Sequence, residues 1–170
     1  MIVFETPWFK VRDQGRFVID ETRGQSGAAV LAQTPDGRFV LVEVYRPALD
    51  RLSLEAPRGF AEDGETSEQA ALREFREEVD APLRPGSLIH VGEVAPNTGL
   101  LSTRVQLFTA ETDGLVSVGT SNEEVHATRL VERAELLDAV RQGRIICGIT
   151  IALIAHLLAS SPVAGAGSAG

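Results

Sequence analysis

The chain has 170 residues, room for one domain with a sizeable core, and its 44% hydrophobic and 24% charged make-up is that of an ordinary globular protein. A net charge of −8 at pH 7 and a pI near 4.9 exclude non-specific electrostatic capture of nucleic acid or of an anionic membrane. An acidic chain that handles phosphates therefore needs local cations, either arginines or metal ions. Cys147 is the only cysteine, which excludes an internal disulfide framework and suits a reducing, cytoplasmic setting. The opening MIVFETPWFK lacks the basic and long apolar regions of a signal peptide. The most apolar run, Ile145 to Ala159, is shorter than a bilayer span and contains His156, so it reads as a buried helix.

Trp8 to Arg12 and Arg16 to Asp20 are β-rich runs around Asp13-Gln14-Gly15, the pattern of a hairpin. Trp8 and Phe9 read as core or interface packing in preference to a platform for a planar ligand. After a loop at Arg23 to Gly27, Ala28 to Gln33 is an apolar strand, turned by Thr34-Pro35-Asp36-Gly37 into a second strand, Arg38 to Tyr45. Both faces of that second strand are apolar, as in a central strand. Arg46-Pro47 breaks it, leaving Arg46 as either a solvated end or a phosphate or base contact. Ser53 to Ala56 reads as a brief strand and Pro57-Arg58-Gly59 as a turn.

Thr66 followed by Gln69 fits a capping box, so a helix is expected from Ser67 to Val79, closed by Asp80-Ala81-Pro82. Helical periodicity puts Leu72, Phe75 and Val79 on the core side and turns Glu74, Glu77 and Glu78 away from it, flanked by Ala70 and Ala71. Leu88 to Ala95 and Thr103 to Glu111 are further strands, joined by a Pro96 to Ser102 loop that is either a lid or a plain connection. Gly119 to Glu124 is a polar loop and Val125 to Val131 a strand. Ala134 to Gln142 is an amphipathic helix, and Ile145 to Leu158 an apolar helix for the core or a subunit interface. Residues 160–170 read as a flexible tail, leaving 1–159 as one domain. Strands, helix, strands and two helices predict an α/β (α+β) fold, a mixed sheet with helices packed on it.

The chemistry concentrates in Arg73-Glu74-Phe75-Arg76-Glu77-Glu78. Three glutamates at i, i+3 and i+4 share a helical face and repel one another, so the cluster suits a positive charge brought from outside. A hard divalent cation such as Mg²⁺ or Mn²⁺ takes oxygen ligands of this kind, and the His and Cys expected for zinc are missing. Such an ion bridges to phosphate oxygens and lowers the pKa of water, the two services that diphosphate cleavage needs. An isolated pattern of this type would be an ordinary solvated helix face. Here it is preceded by Gly59 and, after five residues, Glu65, with Arg73 seven residues further on.

At these residues the chain resembles the Nudix hydrolases, whose signature is Gly, five residues, Glu, seven residues, Arg-Glu, an apolar residue, any residue, Glu-Glu, any residue, Gly, and an apolar residue. Gly59, Glu65, Arg73, Glu74, Glu77 and Glu78 match it, while Asp80 replaces the second glycine and Ala81 the final large apolar residue. The glycine lets the helix end in a left-handed conformation, which Asp tolerates better than most residues.

The resemblance implies an α/β/α sandwich with the mixed sheet between helices, and Mg²⁺ or Mn²⁺ as cofactor. It implies that Glu74, Glu77 and Glu78 are metal ligands, joined by the backbone carbonyl of Arg58, and that Glu77 and Glu78 belong to the catalytic set. Gly59, Glu65 and Arg73 are implied as structural, the last two as a salt bridge. A further acid outside the signature often serves as base or extra ligand, and the Asn122-Glu123-Glu124 loop, Glu123 first, is its source here.

Glu43-Val44-Tyr45-Arg46, Leu54-Glu55-Ala56-Pro57, the Pro96 to Ser102 loop and the acidic loop before Val125 resemble the ADP-ribose pyrophosphatase and nucleotide-sugar branch. In that branch Arg46 and Glu55 would contact substrate and two subunits would share the site, a homodimer. Arg58-Gly59-Phe60 departs from the small-residue-Gly-Lys or Gly-Gly pattern common there, and the N-terminal region is short for a swapped domain. The implied reaction is Mg²⁺-dependent hydrolysis of a nucleoside diphosphate linked to another moiety, giving a nucleoside monophosphate and a sugar phosphate. The alternatives are a pyrophosphohydrolase of dinucleoside polyphosphates or nucleoside triphosphates, and a non-catalytic module that senses a nucleotide.

Overall fold

The computed structural model describes residues 1–21, 27–119 and 125–159. The N-terminal segment forms a three-stranded antiparallel sheet of β1 (Ile2–Glu5), β2 (Phe9–Asp13) and β3 (Phe17–Glu21), in that order. The β2–β3 hairpin turns at Asp13 to Gly15 as expected, and Gly15, at φ +79°, supplies the left-handed residue of the turn. Strand β1 was not anticipated: its side chains are exposed throughout, so it shows neither alternation nor a buried run.

The larger sheet holds β4 (Gly27–Gln33), β5 (Phe39–Arg46), β6 (Arg51–Glu55), β7 (Arg58–Phe60), β8 (Ile89–Val94), β9 (Val105–Glu111) and β10 (Val125–Val131). Its order is β10-β5-β4-β9-β8, with β6 on β5 and β7 on β4. The sheet is mixed, because β4 runs parallel to β9 while the other pairs are antiparallel. A 3₁₀ turn, Pro47–Leu49, follows β5. Of Pro57 to Gly59, expected as a turn, Arg58 and Gly59 instead belong to β7, where Arg58 pairs with Ala29 and Gly59 with Ala28. Turn-forming residue types lost to a free sheet edge: β4 offers backbone partners that a sequence window cannot see.

Three helices complete the described structure: α1 (Ser67–Val79), α2 (Arg133–Arg141) and α3 (Gly148–Ala159). Strand alternation divides the core between two faces. Ala28, Val30 and Ala32 of β4 pack with Phe75 and Val79 of α1, whereas Ala29 and Leu31 pack with Leu136 of α2 and Ile149, Leu153 and Ile154 of α3. The expected α/β/α layering is therefore present, and α3 belongs to the core of this chain. The polar loop at 120–124, the loop residues 22–26 and the tail 160–170 lie outside the described residues.

Helix α1 has the bounds its capping box predicts. Thr66 accepts from the Gln69 N–H at 3.2 Å, and Gln69 accepts from the Thr66 N–H at 2.8 Å. It ends on Asp80 in the left-handed conformation, φ 54°, the place where the signature carries glycine. Two expectations about its faces need correction. Leu72 is 47% exposed, and the core contacts come from the fully buried Ala70, Ala71 and Phe75. Glu78, placed on the open side by periodicity, is only 7% exposed, because β7 lies against that flank of the helix.

Candidate functional site

The site begins where β7 runs beside α1. The Arg58 backbone N–H donates to Glu78 Oε2 at 3.1 Å, tying the strand to the helix. One residue on, Gly59 faces Glu74 so closely that an added Cβ would collide with the Glu74 carboxylate. The requirement for glycine here is close approach, not an unusual backbone angle.

Arg73 braces the loop before the helix. Its Nε and Nη2 donate to the two carboxylate oxygens of Glu65 at 3.0 and 2.9 Å, and Nη2 also reaches the Phe60 carbonyl at 2.9 Å. Its remaining nitrogen, Nη1, donates to Glu74 at 2.8 Å and Glu77 at 3.0 Å. One guanidinium thus serves three carboxylates, and the hydrogen bond with Glu65 leads the causes that raise its pKa. Among the described residues no three His, Cys, Asp or Glu side chains converge on a single point. Glu74 and Glu77 lean on Arg73, while Glu78 turns to β7.

Glu78 is the most perturbed acid of the ridge. Burial pushes its pKa up to about 8, and the Glu74 charge adds to this, against the Arg58 N–H and the charges of Arg58 and Arg46. A buried carboxylate short of positive charge, beside a second carboxylate held over a glycine, fits an oxygen-seeking divalent cation. The side chains that the ridge offers are carboxylates, oxygen donors of the kind that a hard divalent cation takes.

A second cluster stands across β7 from the first. Glu55, at the end of β6, is 2% exposed. Arg46 grips it with two hydrogen bonds, Nε to Oε1 at 2.9 Å and Nη2 to Oε2 at 2.7 Å, and Arg58 adds Nε to Oε2 at 2.9 Å. Burial alone would raise the Glu55 pKa, but the Arg46 hydrogen bonds and the charges of Arg58 and Arg46 bring it down to about 2. Of the two expected substrate contacts, Arg46 is part-exposed, whereas Glu55 is buried with its oxygens engaged by guanidiniums. Glu55 holds both guanidiniums by these hydrogen bonds.

Thr150, fully buried in α3, holds this segment from below by accepting the Ala56 N–H at 3.0 Å. Sequence reasoning missed it, because the two residues lie 94 positions apart. Glu123, the acid expected from outside the signature, lies outside the described residues.

Beyond Phe60 the site opens onto a cavity of about 380 Å³ lined by Trp8, Phe9, Ile19, Glu21, Phe60 and Leu101. Trp8 is 62% exposed there, so it is not core packing. The loop of residues 96–102 is tied to β3: the Ile19 N–H donates to the Leu100 carbonyl at 2.7 Å and the Ser102 N–H to the Ile19 carbonyl at 3.0 Å. Its Leu101 lines the cavity.

This chain shares its sequence pattern and fold with known proteins. An ADP-ribose pyrophosphatase of Bacillus subtilis (strain 168) is 33% identical over 108 residues, covering 64% of this chain and 56% of that protein. An ADP-ribose pyrophosphatase of Haemophilus influenzae is 28% identical over 142 residues, covering 76% of this chain and 64% of that protein. The chain thus spans under two thirds of the length of these relatives. A crystal structure of an ADP compounds hydrolase superposes with a TM-score of 0.73 at 15% identity, covering 94% of this chain and 89% of that one, a likeness of fold. The family model of the NUDIX domain matches residues 23–147, and the chain belongs to that family.

Proposed function

We propose that this protein hydrolyses the diphosphate bridge of a nucleoside diphosphate linked to another moiety, such as ADP-ribose or a nucleotide sugar. The products would be a nucleoside monophosphate and a sugar phosphate. The observation that carries the reading is the pairing of two opposite ion clusters across β7: an acid ridge with too little positive charge, and an arginine pair with too little negative charge. The names of the pyrophosphatase relatives support the same substrate class.

In this reading Glu74, Glu77, Glu78 and the Arg58 carbonyl hold Mg²⁺ or Mn²⁺. A bound divalent ion would supply charge neutralisation at the diphosphate and a more acidic attacking water. The protein's own residues do the rest. Arg46 binds a phosphoryl group through its guanidinium, kept in place by Glu55. Glu65 and Arg73 fix the loop to the helix so that Glu74 stays over Gly59. Glu77, the exposed member of the ridge, and Glu123 are the candidate bases that take the proton of the attacking water. The domain is taken as residues 1–159, with 160–170 as a tail.

We also infer a homodimer, supported by exposed apolar residues on the N-terminal sheet, among them Ile2, Phe4 and Phe17. A cytoplasmic setting is supported by the single cysteine. Among the described residues no helix is long and apolar enough to cross a membrane.

A substrate panel with Mg²⁺ or Mn²⁺, read as phosphate release with and without added phosphatase, tests the function. Release from ADP-ribose or nucleotide sugars only when phosphatase is present is the expected result, since phosphatase acts on newly exposed terminal phosphates. Hydrolysis confined to dinucleoside polyphosphates or triphosphates would replace the substrate class. Nucleotide binding without any turnover would replace the enzyme by a sensor.

A further inference from the structure

We propose that the side chain of Arg58, a residue by which this chain departs from its branch, binds a phosphoryl oxygen of the substrate's diphosphate together with Arg46. The inference rests on the diphosphate reading of the site and adds a residue to it. In β7 successive side chains point to opposite faces. Gly59 faces α1, where Glu74 leaves no room for a Cβ, so Arg58 and Phe60 share the other face. Phe60 on that face borders the cavity, and Arg58 stands two residues before it, next to the acid ridge.

The charge balance gives Arg58 its task. Two guanidiniums, Arg46 and Arg58, are ion-paired with the single carboxylate of Glu55, so among the direct contacts one positive charge is in surplus. The Glu55 side chain is 3% exposed, while those of Arg46 and Arg58 are 31% and 27% exposed, so the anion is hidden and the cations are reachable. Within the described residues the Arg58 guanidinium donates only through Nε, to Glu55 Oε2, and its two terminal nitrogens make no further hydrogen bond. A guanidinium fork matches phosphate oxygens in pairs, which an ammonium does not. Anchoring Nε on a buried carboxylate holds that fork in advance of binding. The Arg58 backbone serves the acid ridge and its side chain the arginine pair, so one residue joins the two clusters.

Equilibrium binding of ADP in EDTA, followed by calorimetry, tests the assignment without turnover. Arg58→Met keeps much of the aliphatic stem and removes the fork; it should weaken ADP binding by about tenfold or more, the loss of a charged hydrogen-bonded contact. Arg58→Lys should recover part of that loss, because it restores the charge without the fork. Adding E55Q to Arg58→Met should not restore affinity. Affinity of Arg58→Met within about twofold of wild type would overturn the proposal. So would recovery in the double variant, which would mean that Arg58 only neutralises Glu55, or a wild type that fails to bind ADP in EDTA. Arg58-dependent ADP binding without hydrolysis of any panel compound would sink the enzymatic reading and leave this contact standing. Hydrolysis of diphosphate compounds with no dependence of ADP binding on Arg58 would do the reverse.

Discussion

The two ion clusters on either side of β7 are built from the same groups and have opposite characters. The ridge on α1 sets Glu65, Glu74 and Glu77 on one guanidinium and leaves Glu78 buried beside Glu74, with its pKa pushed up to about 8. The cluster at the ends of β5 and β6 sets Arg46 and Arg58 on one carboxylate, and Glu55 falls to about 2. Burial opposes ionisation at both glutamates. What differs is contact: guanidiniums hydrogen-bond Glu55 directly, whereas Glu78 feels the same two arginines only through their charge and has Glu74 as a like-charged neighbour. A site with a cation-seeking half and an anion-seeking half is suited to a metal–diphosphate pair.

The largest effect should come from removing the buried member of the ridge. Glu78→Gln keeps the shape of the side chain and its place beside β7, so the fold should survive while turnover falls by at least about 100-fold. Steady-state kinetics alongside a thermal melt would check this, and full activity would erase the distinction between the clusters. A second test separates the ridge from the core beneath it. Phe75→Ala should cost about 3–5 kcal/mol of stability, measured by urea unfolding, because Phe75 is fully buried. Leu72→Ala, on the exposed flank, should stay within about 1 kcal/mol.

The opposite pKa shifts predict opposite pH dependences in metal-free protein. Glu55 ionises more readily folded than unfolded, so its contribution is present above its ordinary value of 4.5 and is lost as pH falls toward about 2. Glu78 holds its proton more tightly when folded, so its contribution is present below 4.5 and is lost as pH rises to about 8. Urea melts in EDTA should therefore show stability declining across that upper window by at most about 1.4 kcal/mol per pH unit. Glu78→Gln should flatten the decline. The smallest expected effect is at the helix end: Asp80→Gly should raise stability by up to about 1 kcal/mol, since Asp80 already occupies the left-handed conformation.

The ridge was legible in the sequence because its residues sit on one helix with a local start signal at Thr66 and a proline beyond its end. Helical periodicity placed Phe75 and Val79 correctly but could not tell which further neighbours would cover the helix. Leu72 was given to the core that Ala70 and Ala71 occupy, and Glu78 to the solvent that β7 excludes. The arginine cluster was only half visible. The resemblance points to Arg46 and Glu55 and, at Arg58, to the backbone carbonyl alone; the Arg58 side chain is positioned by the pairing of β7 with β4, which no local signal announces. The support from Thr150 to Ala56 joins segments 94 residues apart, a contact made by tertiary folding alone.

Mn²⁺ binding, followed through the paramagnetic resonance signal of the free ion in wild type and Glu78→Gln, tests the central claim most directly. The account predicts saturable binding to the wild type that Glu78→Gln weakens by at least about tenfold. Equal affinity in the two proteins would contradict it and return the acid ridge to a plain charged helix face.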